Sequence, residues 1–263
     1  MITQFAIRLI CGMSLAWWLA PRRQITDGFF RIQMLIVLGL AVLAALLGSV
    51  PSGETSGASS AGIDVLLGSA ADTWLLTATA AVAYFGSVAW ALGRRRPGTA
   101  CIAAVTGLSV VLLIGPAWPA SPISSPQLLL VIASELATAL LLGSAMVSML
   151  LGHWYLTASG MSLAPLWRLN VVFGVATLLR IVLATIGLSL VDKLPGTDYH
   201  VTLLALRWLV GLIGPLVVVV MVWRILKYRN TQAATGVLYT GVILTVTGEL
   251  AATLLSRDLS LPV

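Results

Sequence analysis

The segment VIASELATALLLG, Val131 to Gly143, sets a carboxylate, Glu135, in an apolar run that offers it no partner of its own. Arg8, Arg180, Arg207 and Glu249 interrupt other long apolar stretches in the same way. A charge near the centre of a bilayer costs about 2.5–3.5 kcal/mol on insertion scales, and such residues normally face protein and pair. Two chemistries suit the set. In one, Glu135 and Glu249 form buried ion pairs with Arg180 and Arg207 that fix helix register. In the other, they line a polar cavity open to one side, where a carboxylate takes up protons and an arginine orients an anion or a carbonyl oxygen. On that second reading Glu135 and Glu249 are the candidate catalytic groups, and Arg180, Arg207 and His200 the candidate substrate-binding groups.

The neighbours of these residues fit an interior position. Arg180 shares a helical stripe with Thr177, Ala184 and Gly187, and Arg207 one with Gly211 and Gly214. Thr245 and Thr253 flank Glu249 at helical spacing, while Thr138 follows Glu135 by one turn. Small residues let neighbouring backbones approach. His200, in GTDYHV, adjoins Asp198 and Tyr199 at the mouth of the helix that carries Arg207, a position suited to relaying protons at a surface. His153, in GHWYL, falls at the opposite membrane face and reads as an interfacial anchor beside Trp154 and Tyr155.

Other chemistries are excluded or left without support. The two histidines lie a membrane apart, so they cannot share one haem, and Met146 and Met149 read as core filler. Cys11 and Cys101 belong to different membrane levels and are not expected to form a disulfide. There is no CxxC pair, Cys/His cluster, Walker loop, HExxH or GxSxG. The expectation is therefore no metal and no covalently bound cofactor.

The elements that must position these residues follow from composition. The chain has 263 residues, 59% hydrophobic and 9% charged, with a mean hydropathy of +1.02. A hydrocarbon core of about 30 Å needs roughly 20 apolar residues per helical crossing. Eight such runs occur, over residues 3–20, 31–50, 73–92, 99–118, 127–151, 167–191, 201–223 and 235–255. They are continuous and not alternating, so the expected fold is an all-α polytopic transmembrane bundle forming a single integral membrane domain, residues 1–263. The first run lacks a preceding Lys or Arg and a small-x-small cleavage site, and reads as a retained helix.

Loop charges alternate. Arg22, Arg23 and Arg31 flank the first loop, Arg94, Arg95 and Arg96 fill the third, Arg168 follows the fifth, and Arg224, Lys227 and Arg229 mark the seventh. The second loop holds Glu54, Asp64 and Asp72, and the sixth Asp192, Lys193 and Asp198. The positive-inside rule then places the odd loops in the cytoplasm and both termini outside, in a cytoplasmic (inner) membrane. The net charge of +6 is a topology signal and no nucleic-acid patch.

WWLAPRRQITDGFFRI, from Trp17, can be laid on WYLTASGMSLAPLWRL, from Trp154, and WALGRRRPGTA, from Trp90, on WRILKYRNTQA, from Trp223. Two parallel four-helix repeats, 1–118 and 119–263, would give this pattern, and so would recurrent interfacial Trp and basic stop signals. Pro215 is expected to kink the seventh helix.

By every count along the helices, the five charges lie in the outer half or at the midplane. The eight-helix plan with external termini, together with GEL at Gly248–Leu250 in the outer half of the last helix, resembles the quinol-reactive anchor subunits of molybdenum reductases, the dimethyl sulfoxide reductase anchor type. Where an Arg and an aromatic residue follow in that family, this chain has Thr253 and Leu254. The resemblance implies a quinol site near the outer face, electrons passed to an external redox subunit, and no catalytic activity in the isolated chain. A small proton-coupled transporter and a structural or assembly subunit are the alternatives. A transporter usually continues its polar residues inward, whereas here the inner half is nearly free of charge.

Overall fold

The computed structural model describes residues 2–48, 61–115, 125–158, 160–189 and 198–259. Eight helices long and apolar enough to cross a membrane account for nearly all of them. They are α1 (Ile2–Leu19), α2 (Asp27–Gly48), α3 (Ala61–Ala91), α4 (Arg95–Ile114), α5 (Ser125–Thr157), α6 (Ala164–Ser189), α7 (Asp198–Lys227) and α8 (Thr231–Leu259). No strand occurs among the described residues. In hydrocarbon every backbone N–H and C=O must be satisfied within the segment, which is why runs of this composition close as helices. The chain is a multi-pass integral membrane protein.

Local sequence explains several ends. Asp27 opens α2 and complements its positive N-terminal dipole. Gly93, at φ +67°, turns the chain between α3 and α4. Asn230 caps α8 by accepting the Ala233 N–H at 2.9 Å.

Two expectations need correction. The Gly/Ser-rich run through Asp72 reads as a loop, yet α3 begins at Ala61, so Asp72 lies on a helix. The Ala- and Leu-rich stretch from Ala61 outweighs its few Gly and Ser in helix propensity. Arg95 and Arg96 occupy the first turn of α4 and not the loop, and Arg95 is held there by Asp27 at 2.9 Å. Pro215 leaves α7 as one continuous span with a π-helical run, Leu206–Ile213, directly before it. Proline cannot donate to the preceding turn and crowds it; the wider turn absorbs the conflict, with the Gly214 N–H reaching back to the Leu209 carbonyl. Glu54, Asp192 and Lys193 lie outside the described residues.

Helices one to four pack in a ring, α1 against α2, α2 against α3, α3 against α4 and α4 back against α1. Helices five to eight repeat that order, and α1 packs along α5 to join the rings. The principal core lies around this seam, with Trp17, Phe30, Met34, Leu151, Leu169 and Phe173 all buried. The outward face of α6 exposes Val171, Val175, Leu178, Val182 and Ile186, an apolar stripe suited to lipid tails. The basic residues gather at the end where α1 stops and α2 begins, called here the basic end. Ile2 and Leu259 lie at the other end, called the terminal end.

The rings approach most closely at Gly12 on α1 and Gly143 on α5, where a Cβ on either residue would overlap the other helix's backbone. A second such approach brings Gly211 on α7 against Gly248 on α8. Only glycine admits backbones at this distance.

Candidate functional site

Each of the five intramembrane charges lies about two to three turns from the terminal end of its helix, roughly 9–15 Å at 1.5 Å per residue. The fold brings them together in two linked groups. In the first, the Arg8 guanidinium grips Glu135 with both arms, Nε donating to Oε2 at 2.8 Å and Nη2 to Oε1 at 2.5 Å. The pair is half-buried, with side chains 15% and 18% exposed. In the second, Glu249 lies between two arginines: Arg207 Nη1 donates to its Oε1 at 2.6 Å, and Arg180 Nε stands 3.7 Å from the same oxygen. All three side chains are buried.

Thr253 links the groups. It accepts a hydrogen bond from Arg8 Nη1 at 3.3 Å and donates its own proton to the Glu249 carbonyl at 2.7 Å. The cluster thus draws on α1, α5, α6, α7 and α8.

The expected partners are in part corrected. Glu249 does pair with Arg180 and Arg207, but Glu135 pairs with Arg8, because α5 packs along α1. Gly12, one turn from Arg8, permits that packing; Gly211 and Gly248 do the same beside Arg207 and Glu249. Gly211 was read from the sequence, whereas Gly12 was the missed signal. It stands at i+4 from Arg8, as Gly211 does from Arg207. The small and hydroxyl neighbours read from the sequence, Thr138, Thr177, Ala184, Gly187, Gly211 and Thr245, are all buried.

Arg207 is the unusual member. It sits in the π-helical run, is 0% exposed, and has Nε and Nη2 buried without a hydrogen-bond partner among the described residues. A buried donor left unmade costs about 1–3 kcal/mol, more when charged. Counted as ions, the cluster holds three guanidinium groups and two carboxylates, an excess of one positive charge.

His200 lies outside the cluster, in the first turn of α7 with its ring 5.4 Å from that of Tyr199. Asp198 opens the same turn. His153 is exposed at the basic end of α5. Cys11 and Cys101 are both free thiols. No group of His, Cys, Asp and Glu side chains among the described residues could hold a metal ion.

No protein-family model matches the chain, and no curated protein or solved structure is significantly similar to it.

Proposed function

We propose that the chain is the quinol-reactive membrane anchor of a redox complex, with the charge cluster of the terminal half binding the quinol headgroup. The observation that carries this reading is Arg207, whose Nε and Nη2 lie fully buried and without a partner among the described residues, in a cluster with one surplus positive charge. A headgroup oxygen accepting from Arg207 would satisfy a donor that the protein leaves unmade, and the surplus charge favours a ligand that becomes anionic as it loses protons. Glu249 is already clamped by two guanidinium groups. Glu135, half-buried and held by one, is therefore the better proton acceptor of the two. Quinol oxidation releases two electrons and two protons; the electrons pass to an iron–sulfur partner subunit at the terminal end. Asp198 and His200, on the first turn of the helix that bears Arg207, lead the protons outward. The resemblance in helix number and in Gly248–Leu250 supports the same reading, as does the positive-inside placement of the termini.

The test is made in membranes containing the assembled complex. Arg207→Met should lower bound quinone and quinol-dependent electron transfer by about tenfold or more, the loss of one hydrogen bond from a charged donor at about 1.5–3 kcal/mol. Glu135→Gln should lower turnover while leaving quinone bound. Unchanged binding and turnover in both variants would end this proposal. A proton-coupled transporter is favoured by one observation: the basic half buries Gln33 and Asn170, whose side-chain carbonyl oxygens have no hydrogen-bond partner among the described residues. Vesicles of the purified chain that move a solute with a proton would establish that second reading.

A further inference from the structure

A second polar site, separate from the charge cluster, lies at the basic end. The 3-10 turn Arg22–Gln24 and the α3–α4 corner enclose a cavity of about 430 Å³, lined by Arg22, Arg23, Trp90, Arg95, Arg96 and Thr99. Loop arginines that merely set orientation need not converge. Here four of them face one volume with no acidic residue in its lining. Asp27 engages Arg95; Arg22, Arg23 and Arg96 form no ion pair with an acidic residue among the described residues.

Two residues of the lining carry unused donors. Trp90 is 3% exposed, and its Nε1 has no hydrogen-bond partner among the described residues. Its indole is fixed by stacking on Phe30 at 4.7 Å and by Gly98, where a Cβ would come within 2.7 Å of the ring. Arg22 Nη1 is likewise buried and unpartnered, while the guanidinium lies 4.2 Å over the Trp18 ring. Partial burial without an acidic partner pushes the Arg22 guanidinium below its ordinary value, the electrostatic mark of a cation lacking its anion.

We propose that this cavity binds the phosphodiester headgroup of an anionic phospholipid, with Arg22, Arg23 and Arg96 supplying charge and Trp90 Nε1–H and the Thr99 hydroxyl supplying directed hydrogen bonds. Its place argues for a lipid over a soluble phosphate. The cavity lies where α1 and α3 end and α4 begins, at headgroup depth, and the last turn of α1 exposes Trp18 and Leu19 beside it as a surface for acyl chains. Basic pockets between transmembrane helices are a recognised mode of anionic headgroup capture. A second basic cavity, lined by Trp167, Arg168, Lys227 and Arg229 among apolar side chains, has no buried unpartnered donor and serves as an internal control.

The experiment is native mass spectrometry of the purified full chain offered equal amounts of phosphatidylglycerol and phosphatidylcholine. The wild type should retain phosphatidylglycerol at least tenfold more strongly. Arg22→Gln with Arg96→Gln should abolish that preference, and these changes leave Arg23, Arg94 and Arg95 to hold the topology. Trp90→Phe and Thr99→Val keep every charge and should each weaken retention by about tenfold or more, the value of one hydrogen bond to a charged group. Lys227→Gln with Arg229→Gln should leave it unchanged. If Trp90→Phe does not fold, the Thr99 and arginine variants still decide. Equal retention of both lipids, no loss in the arginine variant, or displacement of the lipid by millimolar inorganic phosphate would each overturn the proposal.

Discussion

Removing the Glu249 carboxylate should destabilise the bundle more than removing that of Glu135, although both sit in ion pairs at the same level. Glu249→Gln strips the charge from between two buried arginines, at 2.6 and 3.7 Å. At an effective dielectric constant of 20, an ion pair at 4 Å is worth about 4 kcal/mol, before desolvation is counted. Breaking a buried pair by removing one partner costs about 3–5 kcal/mol because the other charge stays behind. Glu135→Gln leaves only Arg8, half-buried with a third contact to Thr253, and should cost about 1.5–3 kcal/mol, the range for hydrogen bonds to charged groups. Cys11, fully buried, provides the assay: in a Cys101→Ser background its thiol should react with maleimide only as the protein unfolds in denaturant. The pairing is tested by double-mutant cycles. Arg8→Met with Glu135→Gln, and Arg207→Met with Glu249→Gln, should each recover much of the summed single losses, while Arg180→Met with Glu135→Gln should lie closer to additive. A larger loss at Glu135 than at Glu249, or strong coupling of Glu135 to Arg180 and none to Arg8, would refute this account of the cluster.

Gly12→Ala and Gly211→Ala force a Cβ into a facing backbone and should each destabilise by about 1–3 kcal/mol or more; Gly39→Ala, with open space around it, should be neutral or slightly stabilising in the same unfolding assay. Thr253→Val removes the link between the two ion-pair groups and should cost about 0.5–1.5 kcal/mol, with a matching decrease in coupling between Arg8 and Glu249 in a double-mutant cycle. Reporter fusions after Gly93 and Asn230 should locate to the cytoplasm, and fusions just before Ser125 and Asp198 outside; a mismatch within either pair would break the eight-span topology.

What could be read from the sequence divides along physical lines. The spans were legible because hydrocarbon enforces local backbone satisfaction, so each helix is dictated by its own residues. The depth of the five charges was legible for the same reason, since a helix converts residue number into height. Azimuth is different. Whether Glu135 meets Arg8 or Arg180 depends on which helices are neighbours, and Arg8 lies 127 positions away. Neighbour choice was set by Gly12 and Gly143, whose meaning appears only when both are considered. The start of α3 at Ala61 was misread because Gly and Ser usually mark loops, while the Ala and Leu around them carried the helix. The basic cavity was legible as charge and invisible as a site. Nothing in the order of residues says that Trp90 shares one cavity with arginines from a 3-10 turn and from the first turn of α4.

The π-helical run in α7 gives that span a tolerance its neighbours lack. A π turn holds one more residue than an α turn, because its hydrogen bonds close to the fifth residue instead of the fourth. Loss of one residue between Leu206 and Ile213 would therefore not tear the span; the wide turn would give up its extra residue and close as ordinary α-helix. In a regular α-helix each residue advances the chain by about 100°, so the same deletion turns one part of the span against the other by that amount. Here most of that rotation is absorbed by the run itself. A deletion after Arg207 should keep Leu203 and Arg207 toward α8, with Glu249 still in reach of its partner. The same loss in the middle of α6, a regular helix, would carry Arg180 away from Glu249.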